Sequence, residues 1–425
     1  MAIRNKNFLY KVYSTASVQW DVADWDIDNW DNNSGLVATW DDEVIGEPNT
    51  RSAIGIGDSE LRIKLARSYN DFGENEDVAL YNRVELWVYD IDSPNGTRMF
   101  NGRITAYAPV LDGKEEYVEV TVLGLAYELE DYILRDAEGN TTLAYNSVDP
   151  SSILIDVIQK YQADGGAITV NGNSVDLTGT TVTYVFSLVT IREAIDKIIE
   201  LAPNDWFAYV DSTGTIQFHH SNTATPTHKI AVGREIQTLE TRKSLESVVN
   251  RIYFVGGTPA GENQLYSITS RSSSVDTWGL KAKKVIDGRV TLDATASTMA
   301  GGKLDRFDAP ITRSVITILD NNGDTGGLGD DIESYKVGET VQIQNLTYGS
   351  VTETEWDVSE WDVDVWDQPI QLSNAEVLQI TSIDYHLDKV VIEAADRLPE
   401  VAKRIEDINR NLEKEVTKDI PIIPS

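Results

Sequence analysis

The stretch TIREAIDKIIEL at 190–201 is followed closely by WFAYV at 206–210 and, after a glycine-containing turn, by TIQF at 215–218. The first run has apolar residues at helical spacing, and Thr190 with Glu193 forms a capping-box pair at its start. The other two runs are β-prone on both sides of a turn, which is typical of a hairpin. The sequence therefore predicts a helix that leads into a hairpin, the centre of a small α+β module.

A second helix is predicted upstream of this one, over 151–161. Its apolar residues also fall at helical spacing, and Asp149 followed by Pro150 supplies a start signal. Together these elements predict that residues 136–235 form the α+β module.

The region before the module is predicted to be β-structure. Short alternating runs, such as VELWVY at 84–89, are separated by turn residues, and further runs follow at 100–104 and 117–122. This pattern indicates antiparallel strands and hairpins. We predict a first β-barrel over residues 1–135.

The region after the module is predicted to be a second barrel, over residues 236–396. Its strand signals begin with 249–255 and continue at 315–319, 341–343 and 390–392, with one helix interrupting them at 294–304. The predicted fold class is mainly β with an α+β insertion: two related β-barrel domains, a small α+β module between them and a C-terminal helix.

The final segment, 397–425, carries the spacing of a coiled coil. Its apolar residues step by three and four along the chain, at Leu398, Val401, Ile405, Ile408 and Leu412. This favours a helix seam that joins subunits, with a trimer as the expected assembly. The seam is only about two heptads long, so a terminal helix packed on its own domain is the alternative.

Composition excludes several classes of function. Lys and Arg number 36 against 69 Asp and Glu, a net charge of −33, yet hydrophobic residues make up 41% of the chain. The hydrophobic content indicates globular domains, and the negative charge disfavours binding to phosphate backbones, so sequence-specific nucleic-acid binding is not expected. Without cysteine there is no disulfide, zinc knuckle or thiol nucleophile.

Targeting signals are also missing from the sequence pattern. The N-terminal residues lack the apolar core of a signal peptide, and no stretch approaches the ~20 apolar residues of a membrane span. We expect a protein made in a cytoplasm, with no membrane span.

A tryptophan–aspartate repeat occurs near both ends of the chain. WDVADWDIDNWD at 20–31 is echoed by WDVSEWDVDVWD at 356–367. The repeated tryptophans are Trp20, Trp25, Trp30, Trp356, Trp361 and Trp366. A five-residue step cannot form one buried stripe on a helix or a strand, so we predict loop or hairpin arms, within 20–46 and 350–372.

These arms are interpreted as sites of protein–protein contact, because tryptophan is enriched at interface hot spots. One arm falls in each predicted barrel, which suggests matching insertions at equivalent places. Internal packing, carbohydrate stacking on the tryptophans and calcium binding by the aspartates remain as alternatives.

Catalytic and cofactor patterns are not evident. None of the four histidines, His219, His220, His228 and His386, begins an H-E-x-x-H pattern. His219 and His220 follow a strand, so a surface or edge position is expected for them. The Gly301-Gly302-Lys303 cluster lacks the remaining P-loop residues. The sequence predicts no enzyme activity, cofactor or metal site.

One acidic loop, 320–331, partly matches a calcium loop. Oxygen ligands alternate at its start, but Thr325 replaces the glycine at the sixth position and Asp331 replaces the final glutamate. Since Asn, Gly and Asp are also ordinary turn residues, we interpret this segment as an acidic hairpin loop.

The order of barrel, α+β module, barrel and terminal helix resembles the tail-hub or baseplate-hub proteins of long-tailed bacteriophages and contractile injection machines. The segments that carry the resemblance are 100–104 with 120–125, 191–201 with 206–211 and Gly214, 248–252, 272–274 with 278–279, 294–304 with Pro310, and 337–343. The likeness covers most of residues 50–400.

The resemblance implies a virion protein without enzymatic activity. Family members form a trimer whose two barrels per subunit make a ring of six similar units, which adapts a six-fold tail tube to a three-fold tip. Expected partners are the tail tube or distal tail ring, the tape-measure protein, and tip or fibre proteins. The negative charge would line a channel along which DNA slides.

Two departures from the family qualify the resemblance. The tryptophan–aspartate arms are not a general feature of the family, and the chain ends soon after Leu412, where many relatives continue into a host-contacting region. We therefore expect a hub alone. The alternative function is a carbohydrate-binding or cell-surface adhesion protein that uses the tryptophan arms.

Overall fold

The computed structural model is mainly β-structure, and its described residues form three large hydrophobic cores and one small cluster. It describes residues 7–14, 36–40, 43–46, 49–55, 57–68, 76–90, 93–113, 115–203, 205–221, 226–232, 235–258, 263–319, 332–344, 376–386 and 389–397. No helix in these ranges is long and apolar enough to cross a membrane.

Eight strands come first along the chain. They are β1 (Asn7–Tyr13), β2 (Leu36–Trp40), β3 (Val44–Ile45), β4 (Thr50–Ala53), β5 (Gly57–Leu65), β6 (Arg83–Asp90), β7 (Ser93–Asp112) and β8 (Glu115–Gly124). Short 3-10 helices lie at Glu76–Val78, Leu125–Glu130 and, much later in the chain, Ile332–Ser334.

All of these strands except β4 form what we call the first ring. β1 pairs with β2 and β6, β6 with β7, β7 with β8, β8 with β5, and β5 with β3, all antiparallel. Because only three residues separate the end of β2 from the start of β3, the path of pairing returns to its start. Trp40, Phe100 and Val120 are fully buried inside, so the strands surround one apolar core.

The α+β module follows the first ring. Its elements are β9 (Thr142–Val148), α1 (Pro150–Ala163), β10 (Val182–Ser187), α2 (Ile191–Leu201), β11 (Trp206–Val210) and β12 (Ile216–His220). The predicted caps are confirmed: the Asp149 side chain accepts from the Ser151 N–H, and Thr190 with Glu193 forms a reciprocal capping box. Both predicted helices and the predicted hairpin are present.

Six further strands form the second ring. They are β13 (His228–Ala231), β14 (Ile236–Ser244), β18 (Ile311–Leu319), β19 (Thr340–Gln344), β20 (Glu376–Tyr385) and β21 (Lys389–Ala395). The pairing runs β13–β19–β20–β21–β18–β14, and one bridge from Val232 to Ile236 connects the two ends of this path. Each of the six strands contributes buried side chains to one core.

The two rings share one strand order. We number the strands of each ring from one to six along the chain and count β2 and β3 together as strand two. In both rings, the order of neighbouring strands around the ring is then 1, 4, 5, 6, 3, 2. Neighbouring strands are antiparallel, except that β13 runs parallel to β19 and its single bridge to β14 is parallel. The prediction of two related β-domains is confirmed.

The segment between β14 and β18 differs from the prediction. It contains β15 (Arg251–Gly256), β16 (Tyr266–Ser270), α3 (Ser272–Trp278), β17 (Ala282–Asp287) and α4 (Asp293–Phe307). The helix predicted at 294–304 is confirmed as α4, but β15 lies in a separate sheet ordered β16–β15–β17 and not in the second ring. Ile252 and Phe254 pack with α4 into the core of the α+β module, so this module is larger than the sequence predicts.

Candidate functional site

Strand β4 joins the two rings into one continuous sheet. It pairs with β5 of the first ring along one edge and with β20 of the second ring along the other, through four residue pairs on each side. Across the second of these edges, Arg51 Nε lies 3.3 Å from Asp384 Oδ1. The connection between the rings is therefore made of backbone hydrogen bonds as well as side-chain contacts.

The corner that follows β4 contacts all three parts of the fold. The Ile54 N–H donates to the Thr381 carbonyl of the second ring at 3.0 Å, and the Gly55 N–H donates to the Ala208 carbonyl of the α+β module at 2.7 Å. The Ile54 side chain is buried in the core of the second ring. We call residues Ile54, Gly55, Gly57 and Asp58 the junction, because first ring, second ring and module meet there.

Glycine is required where the junction approaches the module. Gly57 has a φ of +75°, and a Cβ built there would lie 1.8 Å from the Val210 carbonyl oxygen. On the second-ring side, a Cβ at Gly338 would lie 2.5 Å from the ring of Phe207. Both close approaches converge on β11, so this strand is in contact with both rings.

Asp58 is a buried carboxyl group at the junction. Its Oδ1 accepts from the Ser52 hydroxyl at 2.5 Å, and its Oδ2 accepts from the Asn101 N–H at 3.2 Å. Burial raises the pKa of Asp58 to about 7, and the nearby charge of Asp211 acts in the same direction, against the two hydrogen bonds. The junction can therefore take up or release a proton near neutral pH.

A second buried carboxylate, Glu85, organises the outer face of the first ring. It accepts hydrogen bonds from Arg83 at 2.7 Å, Arg98 at 2.6 Å and the Trp87 indole N–H at 2.9 Å. Lys11 Nζ and the Arg98 guanidinium lie over the Trp87 ring, at 4.5 and 5.5 Å from its centroid. The positive charge on this face is paired within the chain, which indicates a structural role.

Two of the four histidines lie within hydrogen-bond distance of acidic side chains. Half-buried His219, in β12, lies 2.8 Å from Asp176 Oδ2, and buried His228 lies 2.8 Å from Glu339 Oε2. Among the residues that the structure describes, no three His, Asp or Glu side chains are grouped as metal ligands.

The predicted site residues lie outside the described ranges. These are the arm tryptophans Trp20, Trp25, Trp30, Trp356, Trp361 and Trp366, and the seam residues Leu398, Val401, Ile405, Ile408 and Leu412. The acidic loop 320–331 also lies outside them. The predictions for these residues remain predictions.

The positions of the two repeats in the strand order correct one expectation. The repeat at 20–31 lies between β1 and β2, the first and second strands of its ring, whereas 356–367 lies between β19 and β20, the fourth and fifth strands. They are therefore not insertions at equivalent places. The predicted arm range 20–46 is also too long, because Trp40 is fully buried in β2 and donates to Asp77 Oδ2.

The junction was not predicted from the sequence. A signal was present: GIGD at 55–58 places two glycines and a carboxylate between strand-like runs. The burial of Asp58 depends on Asn101 and on the distant module, which no local pattern reveals.

Comparison with known proteins identifies the fold. No protein-family model and no curated protein matches the chain. Among solved structures, the 43 kDa tail protein of prophage MuSo2 from Shewanella oneidensis is similar at a TM-score of 0.56 and 11% identity, over 92% of this chain and 98% of that one. A tail protein from Neisseria meningitidis MC58 is similar at 0.57 and 10% identity, over 92% and 97%.

A third structure agrees with these two. The prophage tail protein gp18 from Listeria monocytogenes EGD-e is similar at a TM-score of 0.52 and 12% identity, over 96% of this chain and 99% of that one. The chain thus has the fold of phage tail proteins over almost its whole length, and the resemblance inferred from the sequence is confirmed at the level of the fold.

Proposed function

We propose that this protein is a structural hub of a phage tail tip or baseplate, and that three copies form a ring adapting a six-fold tail tube to a three-fold tip. The observation that carries the proposal is the shared strand order of the two rings within one chain. Three chains would then present six similar β-units around an axis, which is the symmetry match that such an adaptor needs.

The internal connections support a rigid adaptor. Strand β4 hydrogen-bonds to both rings, and the junction ties each ring to the module. A ring that receives a tube on one side and a tip on the other has to hold its two halves in fixed register. The continuous sheet through β4 supplies that register without a flexible linker.

Charge supports a role in genome passage. The chain carries a net charge of −33, and each tryptophan–aspartate repeat contains five carboxylates and no Lys or Arg. An acidic channel repels DNA phosphates, so a genome passes without binding to its wall. In this proposal the carboxylates are concentrated toward the channel and the tryptophan arms contact neighbouring proteins.

The proposed partners follow from the position of a hub in a tail. They are the tail tube or distal tail ring above, the tape-measure protein within, and tip or fibre proteins below. The seam Leu398 to Leu412 would close a three-helix bundle, since isoleucine at both core positions favours more than two strands. The protein would be part of the virion and non-enzymatic.

Mass photometry of the purified protein, followed by electron microscopy of its particles, tests the proposal. The expected species is a trimer of about 142 kDa, three times 47.2 kDa, whose projections show six similar lobes around a three-fold axis. A species that stays monomeric up to micromolar concentration and is absent from tails would contradict it. Binding in a glycan screen would favour the adhesion alternative.

A further inference from the structure

The sheet of β15, β16 and β17 has one face open to solvent. Ile252 and Phe254 point from β15 into the core, so the alternate residues face outward. The pairing registers place Tyr266, Val255 and Ile286 in one outward row. Tyr266 is 59% exposed and Ile286 is 66% exposed, which is unusual for neighbouring large apolar side chains.

The next row of this face adds positive charge. It contains Ile268, Tyr253 and exposed Lys284 in register. A third row places Arg251 beside Ser270 and Ala282, so both charged residues in these rows are positive, in a chain whose net charge is −33. We call this outward surface the basic sheet face: it is apolar and positively charged on a protein that is otherwise strongly acidic.

The hairpin of β7 and β8 protrudes from the first ring with the opposite character. Strand β6 pairs with β7 only as far as Arg103, and β5 pairs with β8 only as far as Val118. Among the described strands, none pairs with the outer side of the three outermost pairs, which run from Val110 with Tyr117 to Asp112 with Glu115. They form a two-stranded projection, which we call the hairpin tip.

The hairpin tip is apolar and acidic. Leu111 is 66% exposed, and Asp112, Glu115 and Glu116 are exposed around it. The sequence 110–117 contains these three carboxylates and one lysine. Two-stranded projections gain little stability by themselves in water, and an exposed leucine at their end gains more when another surface covers it.

We infer that the hairpin tip of one copy binds the basic sheet face of the next copy around the ring. Both surfaces are exposed on the same chain, and one is acidic whereas the other is basic. Each also presents apolar side chains at its centre. Opposite charge combined with an apolar centre is typical of a specific protein–protein interface. Two different surfaces in contact make a head-to-tail interface, and such interfaces close into rings under rotation. The inference rests on the proposed ring assembly and specifies the contact that forms it.

Cross-linking tests the contact directly, because the chain has no cysteine. The double variant Leu111→Cys/Ile268→Cys, treated with a short bis-maleimide, should give covalent dimers and closed trimers whose linked peptides join β7 to β16. The control Leu111→Cys/Leu177→Cys keeps the tip thiol and moves the other to a module residue that is 74% exposed. Equal yields from both variants, or no product from the first, would overturn the inference.

Charge reversal provides the second test. Glu115→Lys/Glu116→Lys at the tip and Arg251→Glu/Lys284→Glu at the sheet should each raise the dissociation constant of the trimer at least about tenfold, most strongly at low salt. Combining all four substitutions in one chain restores opposite charges and should recover much of the affinity. The control reversal Lys229→Glu/Lys336→Glu, at exposed residues in and near the second ring, should have little effect.

The outcomes separate the inference from the proposed function. If the protein forms trimers whose affinity is unchanged by either reversal, the contact is wrong and the hub proposal stands. If the wild-type protein neither trimerises nor cross-links, the contact is overturned together with the ring. Recovery in the four-substitution variant supports the contact, since a reversal that merely damaged folding would not be rescued by a second one.

Discussion

The two rings have the same strand order but differ in their first strand. In the first ring, β1 is seven residues long and pairs antiparallel with β2 on one edge and β6 on the other. In the second ring, β13 has four residues, runs parallel to β19 and meets β14 through a single bridge. The shared strand order therefore depends on the other five strand positions. The direction of the first strand can differ between the two rings without changing that order.

The largest expected loss of stability comes from a substitution that disturbs the close contact between the first ring and the module. Gly57→Ala should destabilise the protein by about 3–5 kcal/mol, because its Cβ would lie 1.8 Å from the Val210 carbonyl oxygen at a φ of +75°. Gly113→Ala is the matched control: its φ is +55°, but nothing lies within 4 Å of the added Cβ, so only about 1 kcal/mol should be lost. Urea denaturation measures both, and equal losses would show that the close approach is unimportant.

The next prediction concerns protonation at the junction. The pKa of Asp58 is raised to about 7, above its value in the unfolded chain, so the folded protein holds a proton that the unfolded chain has lost. Stability contributed by this group is fully present below about pH 4 and is lost as the pH rises toward and through 7. The total change is on the order of 4 kcal/mol.

Replacing this carboxyl group tests the pH dependence. Asp58→Asn cannot ionise and should flatten the fall in melting temperature between pH 5 and 8, with the largest gain over wild type at pH 8. Asp276→Asn, at an exposed carboxylate of α3, serves as the control. If the melting temperature of Asp58→Asn depends on pH as it does in the wild type, the Asp58 carboxyl group is not the source of the pH dependence.

Proline substitutions sharpen the comparison of the first strands. Lys11→Pro in β1 should destabilise the protein by about 2 kcal/mol more than Lys229→Pro in β13, since residue 11 pairs with strands on both sides and residue 229 pairs only with Gln342. Thermal unfolding of the two variants at equal concentration gives the difference. If Lys229→Pro proves the more damaging, the closure of the second ring depends on β13 after all.

The helices were predictable because their signals are local. Asp149 before Pro150, and Thr190 with Glu193, mark helix starts within four residues, and both caps form as expected. The partner of β15 was not predictable in this way. Its alternation shows one buried face, but Ile252 and Phe254 are equally compatible with the second ring and with the module. The junction was not predictable for the same reason: it depends on contacts between distant segments. Gly57 and Val210, which approach each other there, are about 150 residues apart in the chain.

The smallest expected effect on stability comes from the two tryptophan repeats. Trp25→Ala and Trp361→Ala should each change the free energy of unfolding by less than about 0.5 kcal/mol if the arms act in assembly and not in folding. Because the repeats follow different strands, we expect the two single variants to lower incorporation into tails to different extents. Quantitative immunoblotting of purified particles measures this, and identical losses would instead support equivalent arms.

Strand β4 is the element through which a mechanical force on one ring reaches the other. Antiparallel hydrogen bonds run perpendicular to their strands, so a force along β4 strains its ladders to β5 and β20 in shear, with all the bonds bearing the load together instead of opening one by one. A pull or twist applied to one ring would thus reach the other with little loss in the connection. In the proposed hub, a contact made at the tip would be transmitted to the other end of the ring as a mechanical signal through this one short strand.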